Sequence, residues 1–163
     1  DNAAACISLI LAVSRGVSDD VTLVWFDNEE PSNRRLGQYA GSRLFAESLE
    51  EQPELFVVLD VTGHGDTFVA DTTYAPFNQY MEVYGKMQNI EVDLLPVAMP
   101  PSDNAWMAGA GVESVLLSVL PEEELEEDVP PTWRRIHTVK DDLDTVEEAT
   151  ILKVAEVIRT LIG

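Results

Sequence analysis

The sequence predicts an α/β fold, a three-layer α/β/α sandwich around a largely parallel (mixed) central sheet. Two observations carry that prediction. Strand-like and helix-like segments alternate along the chain, the order in which helices come to cover a mostly parallel sheet. The strands over residues 55–61 and 113–120 also read as apolar runs rather than apolar–polar alternations, as in strands buried on both faces.

The elements follow in order. Residues 2–15 (NAAACISLILAVSR) are alanine- and leucine-rich and apolar almost all round, which reads as a buried helix stopping at Gly16. Asp19 and Asp20 turn the chain into a buried strand over 21–26 (VTLVWF). Residues 31–36 are polar loop, and a second helix covers 38–49. The strand over 55–61 ends in a Gly63-His64-Gly65-Asp66 turn, after which 67–70 form a short edge strand. A third helix follows Pro76 over 77–87, and 91–97 make another strand. Residues 100–103 are loop before the strand over 113–120. The final helix begins near Asp144, where Asp144 with Glu147, or Thr145 with Glu148, forms a capping box. Its apolar residues Ile151, Leu152, Ala155, Ile158 and Ile162 recur at helical spacing and are expected to face the sheet.

Composition narrows the function classes. A chain of 163 residues with 45% hydrophobic content can bury one core, so one domain is expected over residues 1–163. No apolar run reaches the ~18 residues that span a bilayer. Residue 1 is Asp, set directly against a helical pattern. The expectation is therefore a single catalytic-type domain missing its N-terminal part. Cys6 is the one cysteine, which rules out an internal disulfide or a Cys-rich zinc site and reads as a small buried side chain. Thirty acidic residues against ten basic give a net charge of −20. Nucleic acid and anionic membranes are disfavoured as partners, because both need a basic footprint. The block over 122–128 (EEELEED) reads as a solvated loop or short helix.

Carboxylates fall at the points where catalysis would need them. Glu29 and Glu30 end the predicted strand over 21–26, and Asp60 ends the next apolar run. Open α/β sheets present reactive groups from such strand ends. Asp1-Asn2 opens the first helix, Ser102-Asp103-Asn104 precedes a late strand, and His137 stands in Ile-His-Thr-Val-Lys-Asp. Carboxylates and one imidazole spread over several strand ends make the donor set of a zinc hydrolase. Taken singly, each has a plainer reading: Glu29-Glu30 as a charged turn, His137 as a structural histidine. Trp106, Met107 and Trp133 read as packing residues.

These motifs, in this order, resemble the co-catalytic zinc exopeptidase family, which includes bacterial leucyl-type aminopeptidases, glutamate carboxypeptidases and, as mono-zinc relatives, glutaminyl cyclases. The resemblance runs from Asp1 to the last helix. It implies that Asp1 bridges two metals, that Glu29 is the general base, and that Glu30 and His137 hold one zinc. Asp60 would hold the other. Asp103 matches an acid on the substrate side or behind the ligands in the cyclase branch. The family's other metal-binding histidine lies upstream of the bridging Asp, so two zinc ions are expected in the full-length protein and one or none in this chain. His64, four residues past Asp60, is off the family's position for it. Asn104 stands where the family commonly has His, and 32–38 reads as an inserted loop.

The function implied is a zinc-dependent aminopeptidase that hydrolyses N-terminal peptide bonds of a peptide substrate through metal-activated water, with Glu29 as general base. The alternatives are a mono-zinc glutaminyl cyclase, for which Asp1, Glu30 and His137 suffice, and a metal-free homologue acting as a binding domain. Family members are often exported.

Overall fold

A four-stranded sheet organises the residues that the computed structural model describes, 2–14, 16–27 and 41–163. Its strands are β1 (Val57–Leu59), β2 (Thr67–Asp71), β3 (Leu94–Pro96) and β4 (Val115–Leu120), in the spatial order β1-β4-β2-β3. β1 runs parallel to β4 with Leu59 opposite Leu117, and β2 runs parallel to β3 with Val69 opposite Leu95. An antiparallel β2–β4 seam, Val69 opposite Ser118, joins the two pairs. The sheet is mixed, with parallel pairing on both sides of one antiparallel seam.

Every residue of β4 is buried, so the strand must be covered on both faces. Successive side chains point to opposite faces and meet different helices. Val115, Leu117 and Val119 face a layer made by α1 (Asn2–Val13), α3 (Phe77–Gln88) and α6 (Glu148–Ile162), where Val83, Met87, Val154 and Ile158 fill the core. Leu116 and Leu120 face the other layer, made by α2 (Gly41–Ser48), α4 (Asp103–Gly109) and α5 (Pro131–Arg135). There Ala46 and Met107 pack on Leu116 and Val58, and Trp133 packs with Leu120, Val61 and Val69. Three layers result, as the sequence predicts. Among the described residues no helix is long and apolar enough to cross a membrane.

Several expectations need correction. The run over 21–26 joins no strand ladder among the described residues. An apolar run supplies burial but not a hydrogen-bonding neighbour, and here Trp25 is half exposed while Phe26 is anchored against Phe45 and Phe56. The expected edge strand over 67–70 is β2, an interior strand, because Phe68, Val69 and Ala70 bury both of its faces. α1 is buried on one face only, through Ala4, Ala5, Ser8 and Ala12, leaving Ile7 and Ile10 exposed and Cys6 half-buried.

The last helix starts at Glu148 rather than near Asp144. A 3-10 turn over Leu143–Thr145 precedes it, closed by the Asp142 side chain accepting from the Asp144 amide at 3.1 Å. No capping box forms: the Glu147 carboxylate accepts from the Gly65 amide, and the Thr145 hydroxyl donates to the Asp142 carbonyl. Leu152 points to solvent, a third of a turn off the buried stripe of Ile151, Val154, Ala155 and Ile158. Within the acidic block, Glu124 is buried.

Candidate active site

β1 ends at Leu59, and the next two residues are fixed by β4. The Asp60 amide donates to the Leu117 carbonyl at 3.1 Å. Val61 then turns left-handed, with φ 50°. A β-branched residue pays sterically for that conformation and holds it only where its surroundings enforce it. The enforcement is visible: the Val61 carbonyl accepts from the Ser118 hydroxyl at 2.8 Å and from the Val119 amide at 3.2 Å.

The loop beyond is clamped from both sides. Gly65, at φ 97°, crosses so close to the end of β4 that a Cβ there would lie 2.2 Å from the Leu120 carbonyl carbon. The Asp66 amide donates to the Leu120 carbonyl. From α6 and the residue before it, the Glu147 amide donates to the Gly63 carbonyl at 2.8 Å, and the Thr150 hydroxyl donates to the Gly65 carbonyl at 2.6 Å. The Glu147 carboxylate accepts from the Gly65 amide at 2.9 Å and lies 3.4 Å from His64 Nδ1. The Gly65 N–H is the main reason its carboxyl titrates below the usual glutamate range; partial burial opposes that, while Thr150 and His64 add to it. His64 thus faces the carboxylate of the residue that precedes α6.

His137 is presented by a turn built on α5. Glu124 receives the Thr132 amide at 2.7 Å on one oxygen and lies 3.7 Å from the Arg135 guanidinium on the other, which fixes the first turn of that short helix. After Arg135 the chain makes a four-residue turn closed by the Thr138 amide on the Arg135 carbonyl at 3.2 Å. Ile136 is extended (φ −55°, ψ 147°) and His137 is left-handed (φ 62°), the pattern of a type II turn with His where Gly or Asn is usual. The Thr138 hydroxyl also donates to the Arg135 carbonyl, and the Asp141 amide to the Thr138 carbonyl. These local bonds hold an exposed imidazole at the apex.

The two turns meet across a cleft at the carboxyl ends of β1 and β4. Val61, Gly63 and His64 line one side, Arg135 and Ile136 the other, with Asp141 and Val146 closing it. Val61 and Ile136 also share an apolar cluster with Trp133 and Leu120. The residue after Asp60 and the residue before His137 are therefore neighbours in space. Asp1, Glu29 and Glu30 lie outside the described residues. Among those described, no three His, Cys, Asp or Glu side chains form a group that could hold a metal. Asp103 is half-buried at the start of α4 and does not line this cleft. Its neighbour Asn104 donates at 3.2 Å to Asp71, which is fully buried and also receives the Thr73 amide and hydroxyl. Asn104 thus binds a buried carboxylate at the far end of β2. Met107 and Trp133 are core residues and Trp106 is half-buried.

Sequence reasoning missed three supports of this geometry: Ser118, Glu124 and Glu147. Only Ser118 left a sequence signal, as the single polar residue of VLLSVL.

The profile of peptidase family M28 matches residues 1–162. No curated protein matches the chain. Among solved structures, a zinc aminopeptidase from Bacillus subtilis superposes with a TM-score of 0.61 at 18% identity, over 75% of this chain and 31% of that one. An aminopeptidase from an Aneurinibacillus strain gives 0.59 at 20% identity, over 75% and 29%. The glutaminyl cyclase of Tannerella forsythia gives 0.55 at 17% identity, over 90% and 50%. The chain thus spans between about a third and a half of the length of the proteins it resembles in fold.

Proposed function

The chain belongs to peptidase family M28, and from that premise we propose that it serves a zinc-dependent aminopeptidase, removing residues from the amino end of peptides. The observation that supports this reading is that Val61 and Ile136, the chain neighbours of Asp60 and His137, line one cleft, with Val61 and His137 both left-handed. Backbone strain of that kind concentrates where a side chain must be aimed. Asp60 and His137 contribute a carboxylate oxygen and an imidazole nitrogen, both donors that zinc accepts. With Asp1 and Glu30 they would form the ligand set.

Zinc in such a set supplies Lewis acidity and lowers the pKa of water towards ~7. The chain's own part is positional and protonic. Asp60 is held by β4 and His137 by its turn, so neither ligand has to be ordered when metal arrives. Glu29, adjacent to a ligand in sequence, takes a proton from the attacking water and returns it to the leaving amine.

The test is metal analysis of the native protein paired with turnover of aminoacyl-p-nitroanilides. Stoichiometric zinc and release of nitroaniline are expected. Cyclisation of amino-terminal glutamine without release of residues would assign the protein to glutaminyl cyclase chemistry. Neither zinc nor turnover would mark a binding domain.

A further inference from the structure

Ser118 is out of place by composition. It is the one polar residue in a six-residue strand whose other members are Val and Leu, and it is only 2% exposed. A hydroxyl there is costly unless it is bonded, and a strand in that position gains more from an apolar side chain. Its bond goes to a carbonyl that already has a ladder partner. Val61 O accepts the Val119 amide as a continuation of the β1–β4 pairing, and the Ser118 hydroxyl occupies its second lone pair at 2.8 Å. The carbonyl so held belongs to the residue that turns left-handed directly after Asp60. On the other side of Asp60, its own amide is tied to Leu117. Three consecutive residues of β4 therefore bracket one carboxylate-bearing residue.

We infer that Ser118 is a positioning residue for Asp60: its hydroxyl holds Val61 left-handed and so fixes the direction in which the Asp60 carboxylate leaves the sheet towards its metal. The inference rests on the proposed role of Asp60 as a zinc ligand. Without the hydroxyl, Val61 keeps one bond and can relax towards the extended conformation that a β-branched residue prefers. The Asp60 backbone would rotate with it. The fold would persist, since β4 keeps its ladder bonds and its apolar neighbours.

The experiment compares native protein, Ser118→Ala and Ser118→Thr. It reads zinc affinity by chelator competition, the visible spectrum of the cobalt-substituted protein, kcat and KM, and melting of the metal-free form. Ser118→Ala is expected to weaken zinc binding by about 10-fold, the low end for loss of an outer support of a ligand. Its cobalt spectrum should change and kcat should fall with KM within about twofold, as for a group that does not touch substrate. The metal-free melting point should drop by no more than about 2–4 °C. Ser118→Thr, which restores the hydroxyl, should recover affinity and spectrum. Unchanged affinity and spectrum in Ser118→Ala, in a native protein that binds zinc, would overturn the role of Ser118 and leave the site standing. Failure of Ser118→Thr to recover what Ser118→Ala loses would trace the loss to packing and overturn it equally. A native protein that binds no zinc removes the site and this inference together.

Discussion

His137 and Val61 both occupy the left-handed region, yet their side chains have opposite fates. Val61 is buried against Trp133, while His137 is exposed at the tip of its turn. The conformation costs a non-glycine residue on the order of 1–2 kcal/mol; glycine adopts it freely but gives up roughly 0.5–1 kcal/mol in chain entropy. His137→Gly removes the imidazole while relieving the left-handed backbone strain. Its zinc affinity should fall by more than the 10–100-fold that loss of an outer partner costs. Unchanged zinc affinity would show that the imidazole is not a ligand. On the roles proposed above, Glu29→Gln removes a proton acceptor but no ligand, so zinc content should stay intact while kcat falls by about 10²–10⁴. Loss of zinc instead would exchange the roles of Glu29 and Glu30. At this scale the sequence singled out Asp60 and His137 through their motifs, and the structure brings the residues beside them, Val61 and Ile136, into one apolar cluster. Glu124 and Glu147 stayed hidden because a carboxylate that binds a backbone amide several residues or a whole domain away looks like any surface acid.

At the scale of elements, runs of apolar residues were legible and partners were not. Residues 55–61 and 113–120 announced β1 and β4 by composition, whereas the interior place of β2 depends on which strand lies beside it. The run over 21–26 shows the converse error, an apolar stretch without a ladder. In place of the capping box, Thr145 donates to the Asp142 carbonyl and Glu147 accepts from the Gly65 amide; α6 begins one turn later than its sequence suggests. The Glu147 contact ties the loop after β1 to α6 and carries a pH signature. The folded Glu147 carboxyl titrates below its unfolded value, so its stabilisation is complete above about pH 4.3 and is lost as pH falls through the folded value. The side chain is half exposed, so the effect should be modest. Melting followed during acidification should show a steeper decline for native protein than for Glu147→Gln. Parallel curves would mean that the Gly65 bond contributes nothing to stability.

For the whole molecule, charge is the dominant surface property. A net charge of −20 loads the folded state with self-repulsion, and the exposed ion pairs, such as Arg43 with Glu47 and Lys153 with Glu156, are too few to offset it. Raising salt from about 0.01 M to 0.5 M shortens the screening length from roughly 30 Å to less than 8 Å. The melting temperature should rise, each 2–4 °C corresponding to about 1 kcal/mol at this size. A fall would show that attractive pairs outweigh the repulsion. The two sides of the cleft differ in a way that no static distance conveys. The Asp60 and Val119 amides are locked into the central strand pair, while those of Thr138 and Asp141 are closed only by a local turn. In deuterated water the first two should exchange only when the sheet itself opens, and the latter two should exchange through local fluctuations far earlier. On warming, the turn that carries His137 would lose its order while the segment that carries Asp60 still kept its own. Activity of the kind proposed above would then be lost at a temperature where the protein is still folded.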